Sequence, residues 1–192
     1  MTKKKYRQKM ISLRSGLDAG QVETRSRKIT QRFLDFPGLE DYLYYLAYLP
    51  VNKEVDTRPL LSVLLDQGRK VYVPKCRTEE QGCMDFYRIT GFEDLIPGYC
   101  GIDEPCPDPS KLFVNQGPAL CVLPALAFDR QGCRLGYGQG FFDRYLKSLP
   151  GPRPLLIGFA YDFQVVDQLP ADKWDVPVNM VITEKVLFKT GS

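Results

Sequence analysis

Apolar residues near the start of the chain recur with helical spacing and then give way to strand-like runs. Tyr6, Met10, Leu13 and Leu17 form one helical stripe. Asp18 followed three residues later by Gln21 has the form of a capping box, which predicts a second helix through Leu34. Residues 42–49, YLYYLAYL, are apolar on both faces, so a central parallel strand covered on each side is expected, with its tyrosines in the core. Pro50 ends it. Asp56 and Pro59 mark a helix start for LLSVLLDQ, closed at Gly68. Short strands are predicted at 71–74 and 84–89. Residues 97–118, rich in proline and glycine and without periodicity, read as a long loop, either functional or a lid. A buried strand follows at 119–123, an amphipathic helix at 141–149, and strands at 155–160, 178–183 and 186–189.

This alternation predicts an α/β fold, three-layer α/β/α with a largely parallel central sheet, as a single domain over residues 1–192. In such sheets ligands gather beyond the carboxyl ends of the strands. Glu54 follows the first strand and a glycine-rich loop follows the 119–123 strand, so both are expected on one edge, facing one cleft.

Composition narrows the chemistry. Hydrophobic residues at 44% and charged residues at 26% are ordinary globular values. No apolar run approaches the ~20 residues that span a bilayer, so no membrane association is expected. The basic start, MTKKKYRQKMISLRSGLD, lacks the apolar core of a secretory leader, and a cytoplasmic protein, a monomer, is the expectation. Six cysteines, at 76, 83, 100, 106, 121 and 133, form no CxxC pair and read as reduced thiols; histidine is absent altogether. Structural zinc and Ser-His or Cys-His catalysis are thereby disfavoured. Any reaction must rest on positioning, cations, carboxylates or metal. A formal charge of +3 is too small to indicate nucleic acid, and no nucleic-acid-binding module is visible. Lys3, Lys4, Lys5, Arg7, Lys9 and Arg14 nonetheless crowd the first turns with no acid before Asp18. A solvated helix face is the plain reading of that run, yet Lys3 and Arg7 fall four apart on one face.

The densest chemistry lies in LPALAFDRQGCRLGYGQGFFDRYL, residues 123–146. Gly136, Gly138 and Gly140 alternate with Tyr137 and Gln139 between a strand and a helix, flanked by Arg134 and Arg144. Such a loop tolerates positive φ and close backbone approach, and its free N–H groups at a helix start favour an anion. Asp143, in the first turn, is placed to hold a divalent cation bridging phosphate oxygens. A tight strand-to-helix turn would use the same glycines. The pattern is neither the dinucleotide fingerprint, since Phe141 stands at its third glycine, nor a P-loop, since no GK[ST] occurs.

The whole block resembles the signature of the 5-formyltetrahydrofolate cyclo-ligase family, also called 5,10-methenyltetrahydrofolate synthetases, which runs close to PGLAFDxxGxRLGxGxGYYDxxL. The resemblance extends to KxxxR at Lys3 and Arg7, to Glu54 in VNKEVDT, to VPKC (73–76), GIDEP (101–105) and the closing DVPVNMVITE, and so covers nearly the whole chain. It implies ATP-dependent closure of 5-formyltetrahydrofolate to 5,10-methenyltetrahydrofolate with release of ADP and phosphate. By position it implies that Lys3, Lys4, Lys5, Tyr6 and Arg7, with Arg134, Leu135, Gly136, Tyr137, Gly138, Gln139, Gly140, Phe141 and Phe142, hold ATP. Arg7, Leu49, Glu54, Tyr137 and Phe141 would line the folate side. Arg134 and Asp143 would be catalytic, and Asp143 with Asn179 would bind Mg²⁺.

Several positions keep a second reading. Glu54 is either a carboxylate accepting pterin N–H groups or a solvated acid at a helix start. Arg134 would also suit a salt bridge with Asp129. Phe141 and Phe142 replace the family's paired tyrosines, Trp174 stands where many members have histidine, and Asn179 where they have a second acid. Those departures leave room for a diverged member that binds nucleotide or folate as a sensor or buffer.

Overall fold

The computed structural model describes residues 1–77 and 79–191, the side chain of Cys100 lying outside that description. Two helices come first, α1 (Lys3–Ser15) and α2 (Ala19–Leu34). The capping box before α2 is complete: the Asp18 carboxylate accepts the Gln21 N–H at 2.8 Å, and the Gln21 side-chain oxygen accepts the Asp18 N–H at 3.1 Å. Then come β1 (Tyr44–Ala47), α3 (Arg58–Asp66), β2 (Lys70–Cys76), β3 (Met84–Ile89), β4 (Leu95–Pro97) and β5 (Asp103–Pro105). The rest comprises β6 (Ala119–Leu123), β7 (Ala127–Asp129), β8 (Arg134–Leu135), α4 (Phe141–Ser148), β9 (Leu155–Phe159), β10 (Val165–Val166), β11 (Met180–Ile182) and β12 (Leu187–Lys189).

Seven strands form the main sheet in the order β12-β11-β9-β6-β1-β2-β3. The five inner strands run parallel, and β3 and β12 pair antiparallel at the two edges. Alternate residues of β1 serve opposite faces. Tyr45 and Ala47 join Ile29 and Phe33 of α2 and Leu60, Leu61 and Leu64 of α3 in one core cluster. Leu46 turns the other way, into a cluster with Phe86, Cys121 and Leu123, covered by Phe141, Phe142 and Tyr145 of α4. The expected three layers are therefore present.

Three expectations change. Residues 97–118 are not structureless: β4 and β5 form an antiparallel hairpin, followed by a 3₁₀ turn at Pro109–Lys111. Glu104 of that hairpin is 3% exposed and accepts from Lys75 Nζ at 3.2 Å and the Cys76 N–H at 3.0 Å, which docks the hairpin on β2. Strands of three residues are too short to leave a periodic trace. Within the glycine-rich block, β7 pairs with β8 and β10 in a second sheet of three strands, short for the same reason. Finally, the inner face of α1 departs from the expected stripe at Leu13. Leu13 is 45% exposed, whereas Met10 and Arg14 are buried. Met10 packs on Leu126, Ala127 and Leu135 of the small sheet, and Arg14 turns into a polar cleft beyond the end of β1.

Candidate active site

Glu54 sits behind an unusual turn. Asn52 and Lys53 both adopt left-handed backbone, φ 48° and 57°, a conformation costly for residues with side chains. The turn is held by Lys53 Nζ, which donates to the Ser15 and Leu17 carbonyls, both at 2.6 Å, and so ties down the end of α1. Tyr161 hydroxyl donates to the Glu54 carbonyl at 3.0 Å. The Glu54 side chain is thereby directed inward and is 5% exposed, which removes its reading as a solvated acid. Its Oε2 accepts the Val51 N–H at 3.1 Å, and its Oε1 lies 3.6 Å from Arg14 Nη1. Burial pushes the carboxyl up to about 7, against the opposing pull of the Arg14 charge, the Val51 N–H and the Tyr137 hydroxyl. Arg14 Nη2 donates to the Tyr137 hydroxyl, and its guanidinium lies over the Tyr137 ring, 5.4 Å from the centroid. Arg14 Nη1 is buried without a hydrogen-bond partner. Arg14, Tyr48, Glu54, Pro124, Phe159 and Gln164 line a narrow crevice.

Tyr137 belongs to the glycine loop, so the loop and Glu54 do meet at one edge. Gly138 and Gly140 have φ of 113° and 71°, which only glycine adopts readily. Arg7 Nε donates to the Gly136 carbonyl at 2.9 Å, and its guanidinium lies where a Gly138 Cβ would be only 3.5 Å away. Gly140 starts α4 with no side-chain cap, leaving the N–H groups of the first turn without one. Arg144 donates from Nε to the Gly82 carbonyl at 2.9 Å and from Nη2 to the Gln139 carbonyl, so it straps the loop to the turn before β3. Arg134 is buried, with Nη2 donating to Asp143 Oδ1 at 2.7 Å and the guanidinium over Phe142 at 5.6 Å. Its Nε has no hydrogen-bond partner. The alternative Arg134–Asp129 bridge is not formed: the Asp129 carboxylate accepts N–H groups from Gln131, Cys133 and Leu169 at 2.9–3.0 Å.

Of the basic run, Lys3 and Arg7 turn inward while Lys4 and Lys5 are exposed. Lys3 Nζ contacts Asp172 at 2.7 Å and Asp175 at 2.8 Å. Burial works against its charge, but the two carboxylates outweigh that and raise its pKa. Tyr6 hydroxyl donates to the Gln168 carbonyl at 3.1 Å. Leu135 and Leu49 are core residues, 2% and 4% exposed. Phe141 and Phe142, the first two residues of α4, are half-buried and pack on the core. Trp174 is 64% exposed, with Lys147 and Lys173 against its ring. Asn179, which the resemblance places at Mg²⁺ with Asp143, is exposed and lies just before β11. Its Oδ1 accepts the Leu156 N–H at 2.8 Å and its N–H donates to the Leu156 carbonyl, so the side chain continues the β9–β11 pairing just before β11. Among the described residues no group of three or more His, Cys, Asp or Glu side chains is arranged to hold a metal.

A family model described as the 5-formyltetrahydrofolate cyclo-ligase family matches residues 1–184. The chain belongs to that family. Among curated cyclo-ligases, that of Escherichia coli (strain K12) is 29% identical over 176 residues, covering 92% of this chain and 97% of the relative. That of Mycolicibacterium smegmatis is 34% identical over 142 residues, 72% of each chain. The solved structure of Aquifex aeolicus 5,10-methenyltetrahydrofolate synthetase superposes with a TM-score of 0.84 at 30% identity, covering all of this chain and 94% of that one.

Two further residues of this cluster carry no motif of their own: Arg14 and Asp175. Arg14 had been counted only in the basic run. The signal was present: Lys3, Arg7, Met10, Arg14 and Leu17 share one helical face at spacings of four and three. Asp175 had been noticed only as part of DVPV, and its partner Lys3 is 172 positions away, beyond any local pattern. Asp143 suits a cation that arrives on a polyphosphate. One oxygen is occupied by Arg134 and by the Val176 N–H at 3.0 Å, and no hydrogen bond to Oδ2 is formed among the described residues. A single such oxygen is too little for a metal site of the protein's own.

Proposed function

We infer that this chain closes the ring of 5-formyltetrahydrofolate to 5,10-methenyltetrahydrofolate, consuming ATP and releasing ADP and phosphate. The observation that carries the reading is the meeting of the glycine loop and Glu54 through Tyr137 and Arg14, which joins a polyphosphate cradle to a buried carboxylate. The named relatives are enzymes of this activity, which does not favour a sensor or buffer.

The chemistry suits a site without histidine. A formamide oxygen is a poor leaving group until it accepts the γ-phosphoryl group of ATP. The folate N10 then attacks the activated formyl carbon, the C–O bond breaks with phosphate as leaving group, and N10 gives up its proton to the departing phosphate. Catalysis consists of alignment and charge neutralisation. In this reading the uncapped start of α4 and the loop N–H groups hold the phosphates. Arg134 donates its unpartnered Nε to a phosphate oxygen, and Arg7 steadies the loop through Gly136. Glu54 accepts N–H donors of the pterin, and Phe141 packs beside it. Mg²⁺ would come bound to ATP and neutralise phosphate charge, with Asp143 Oδ2 as the protein's ligand. Lys4 and Lys5 add positive potential at the mouth, where Lys3 is already paired with Asp172 and Asp175, and the cytoplasm is the proposed location.

The test is growth of methenyl absorbance when purified protein meets 5-formyltetrahydrofolate, ATP and Mg²⁺. Product in stoichiometric yield with ADP is expected. Tight folate or nucleotide binding with no product would overturn the reading.

A further inference from the structure

Arg14 is a buried cation whose neighbours do not fully satisfy it. Ordinary buried Arg–carboxylate pairs close to direct, often bidentate, hydrogen bonds. Here Nη1 stands 3.6 Å from Glu54 Oε1, outside hydrogen-bond range, and has no other partner, although the side chain is 2% exposed. The stand-off is imposed from both sides. Nη2 is engaged by the Tyr137 hydroxyl, while Glu54 is fixed by the Val51 N–H on its other oxygen and by Tyr161 on its backbone. A charge at this range stabilises an ionised carboxylate without occupying the lone pairs of Oε1.

We propose that Arg14 is the positioning residue for Glu54: from its stand-off it favours the ionised carboxylate against burial, so that Glu54 can accept the N–H donors of a reduced pterin. This rests on Glu54 being the pterin acceptor. The groups facing Glu54 are Arg14 from α1, Tyr137 from the glycine loop, Tyr48 from the end of β1 and Tyr161 from the segment after β9, with Asp56 nearby. Lys53 is directed away, to the Ser15 and Leu17 carbonyls. The phenols stay neutral near neutrality, so Arg14 supplies the charge that opposes burial.

The experiment compares native chain, Arg14→Met, Arg14→Lys and Glu54→Gln. It measures folate binding without ATP and folate kcat/KM with MgATP from mildly acidic to mildly alkaline pH. Removing an opposite charge at this distance raises a carboxylate pKa by about 1 to 3 units. Arg14→Met should therefore move the acid limb of folate kcat/KM up by at least about one unit and weaken folate binding near neutrality about tenfold. The loss should appear in KM, with kcat at saturating folate retained, and Arg14→Lys should restore most of it. Should Arg14→Met not fold, Arg14→Gln carries the same expectation, since it still donates to Tyr137. An unchanged affinity, or one reduced equally at every pH, would overturn the proposal. Glu54→Gln separates the two ideas. If it binds folate like the native chain, the Glu54 reading fails. If it loses affinity while the limb of Arg14→Met stays in place, only the role of Arg14 fails.

Discussion

Glu54→Gln replaces the buried carboxyl by a group of equal shape that cannot titrate, and its effect on stability has a definite sign. The ordinary value of the carboxyl, 4.5, is raised by burial to about 7 in the fold. Between those values the native state holds a proton that the unfolded chain has released. The unfolding free energy contributed by Glu54 therefore falls as pH rises through this window, and the loss is complete above the folded value. At about 1.36 kcal/mol per unit, the native chain should lose about 3 kcal/mol relative to the glutamine variant between the two limits. Arg14 left without its carboxylate lowers the variant's curve by a constant, because arginine does not titrate there. The pH slope of the difference thus isolates Glu54. Urea unfolding of both proteins from about pH 4 to about pH 8, with equal m-values as a control, measures it. A difference that is flat, or that favours the native chain more at high pH, would refute the reasoning, since it would mean that Arg14 and the Val51 N–H outweigh burial.

Three further outcomes are expected. Arg134→Met removes the 2.7 Å bond to Asp143 and should cost about 1.5 to 3 kcal/mol in chemical denaturation, with kcat/KM for ATP lowered at least about tenfold; native ATP kinetics in a folded variant would take Arg134 out of the phosphate site. Asn179→Ala should cost about 0.5 to 1.5 kcal/mol through the lost Leu156 bond and leave the Mg²⁺ requirement unchanged in a titration at saturating ATP; a raised requirement would restore Asn179 as a ligand. Gly132→Ala, at φ 87° with its new Cβ against the Val178 carbonyl, should destabilise by about 1 to 3 kcal/mol, read as a lower Tm.

The larger elements were legible because long apolar patterns report burial directly. Strands 84–89 and 119–123 coincide with β3 and β6, and the capping box at Asp18 formed as written. What escaped was of two kinds. Elements of two or three residues, such as β5 and β8, carry no period to read. Polar residues that turn inward, such as Arg14, Glu104 and Asp129, break the rule that apolar residues mark the buried face, and they do so where the chain has charge to hold in place. Asn179 adds a contact that no motif marks: its amide oxygen accepts the Leu156 N–H beside the β9–β11 pairing. Motif spacing pointed to the glycine loop and to Glu54, but the arginine between them became visible only when α1 was docked.

The docking of α1 also bears on when the site can exist. Its contacts reach across the chain: Arg14 to Tyr137 spans 123 positions, Arg7 to Gly136 spans 129, and Lys3 to Asp175 spans 172. On a ribosome α1 emerges more than a hundred residues before its partners. It must wait, with Met10 and Arg14 unburied, until residues 126–137 have been made. Contacts of such separation are late and slow to form. The parallel sheet can begin to assemble around β1 and β2 before β9 and β11 are made, but neither ligand pocket can. Binding competence therefore waits on the docking of α1, and a partly made chain that has assembled only some of its sheet offers substrates no finished site.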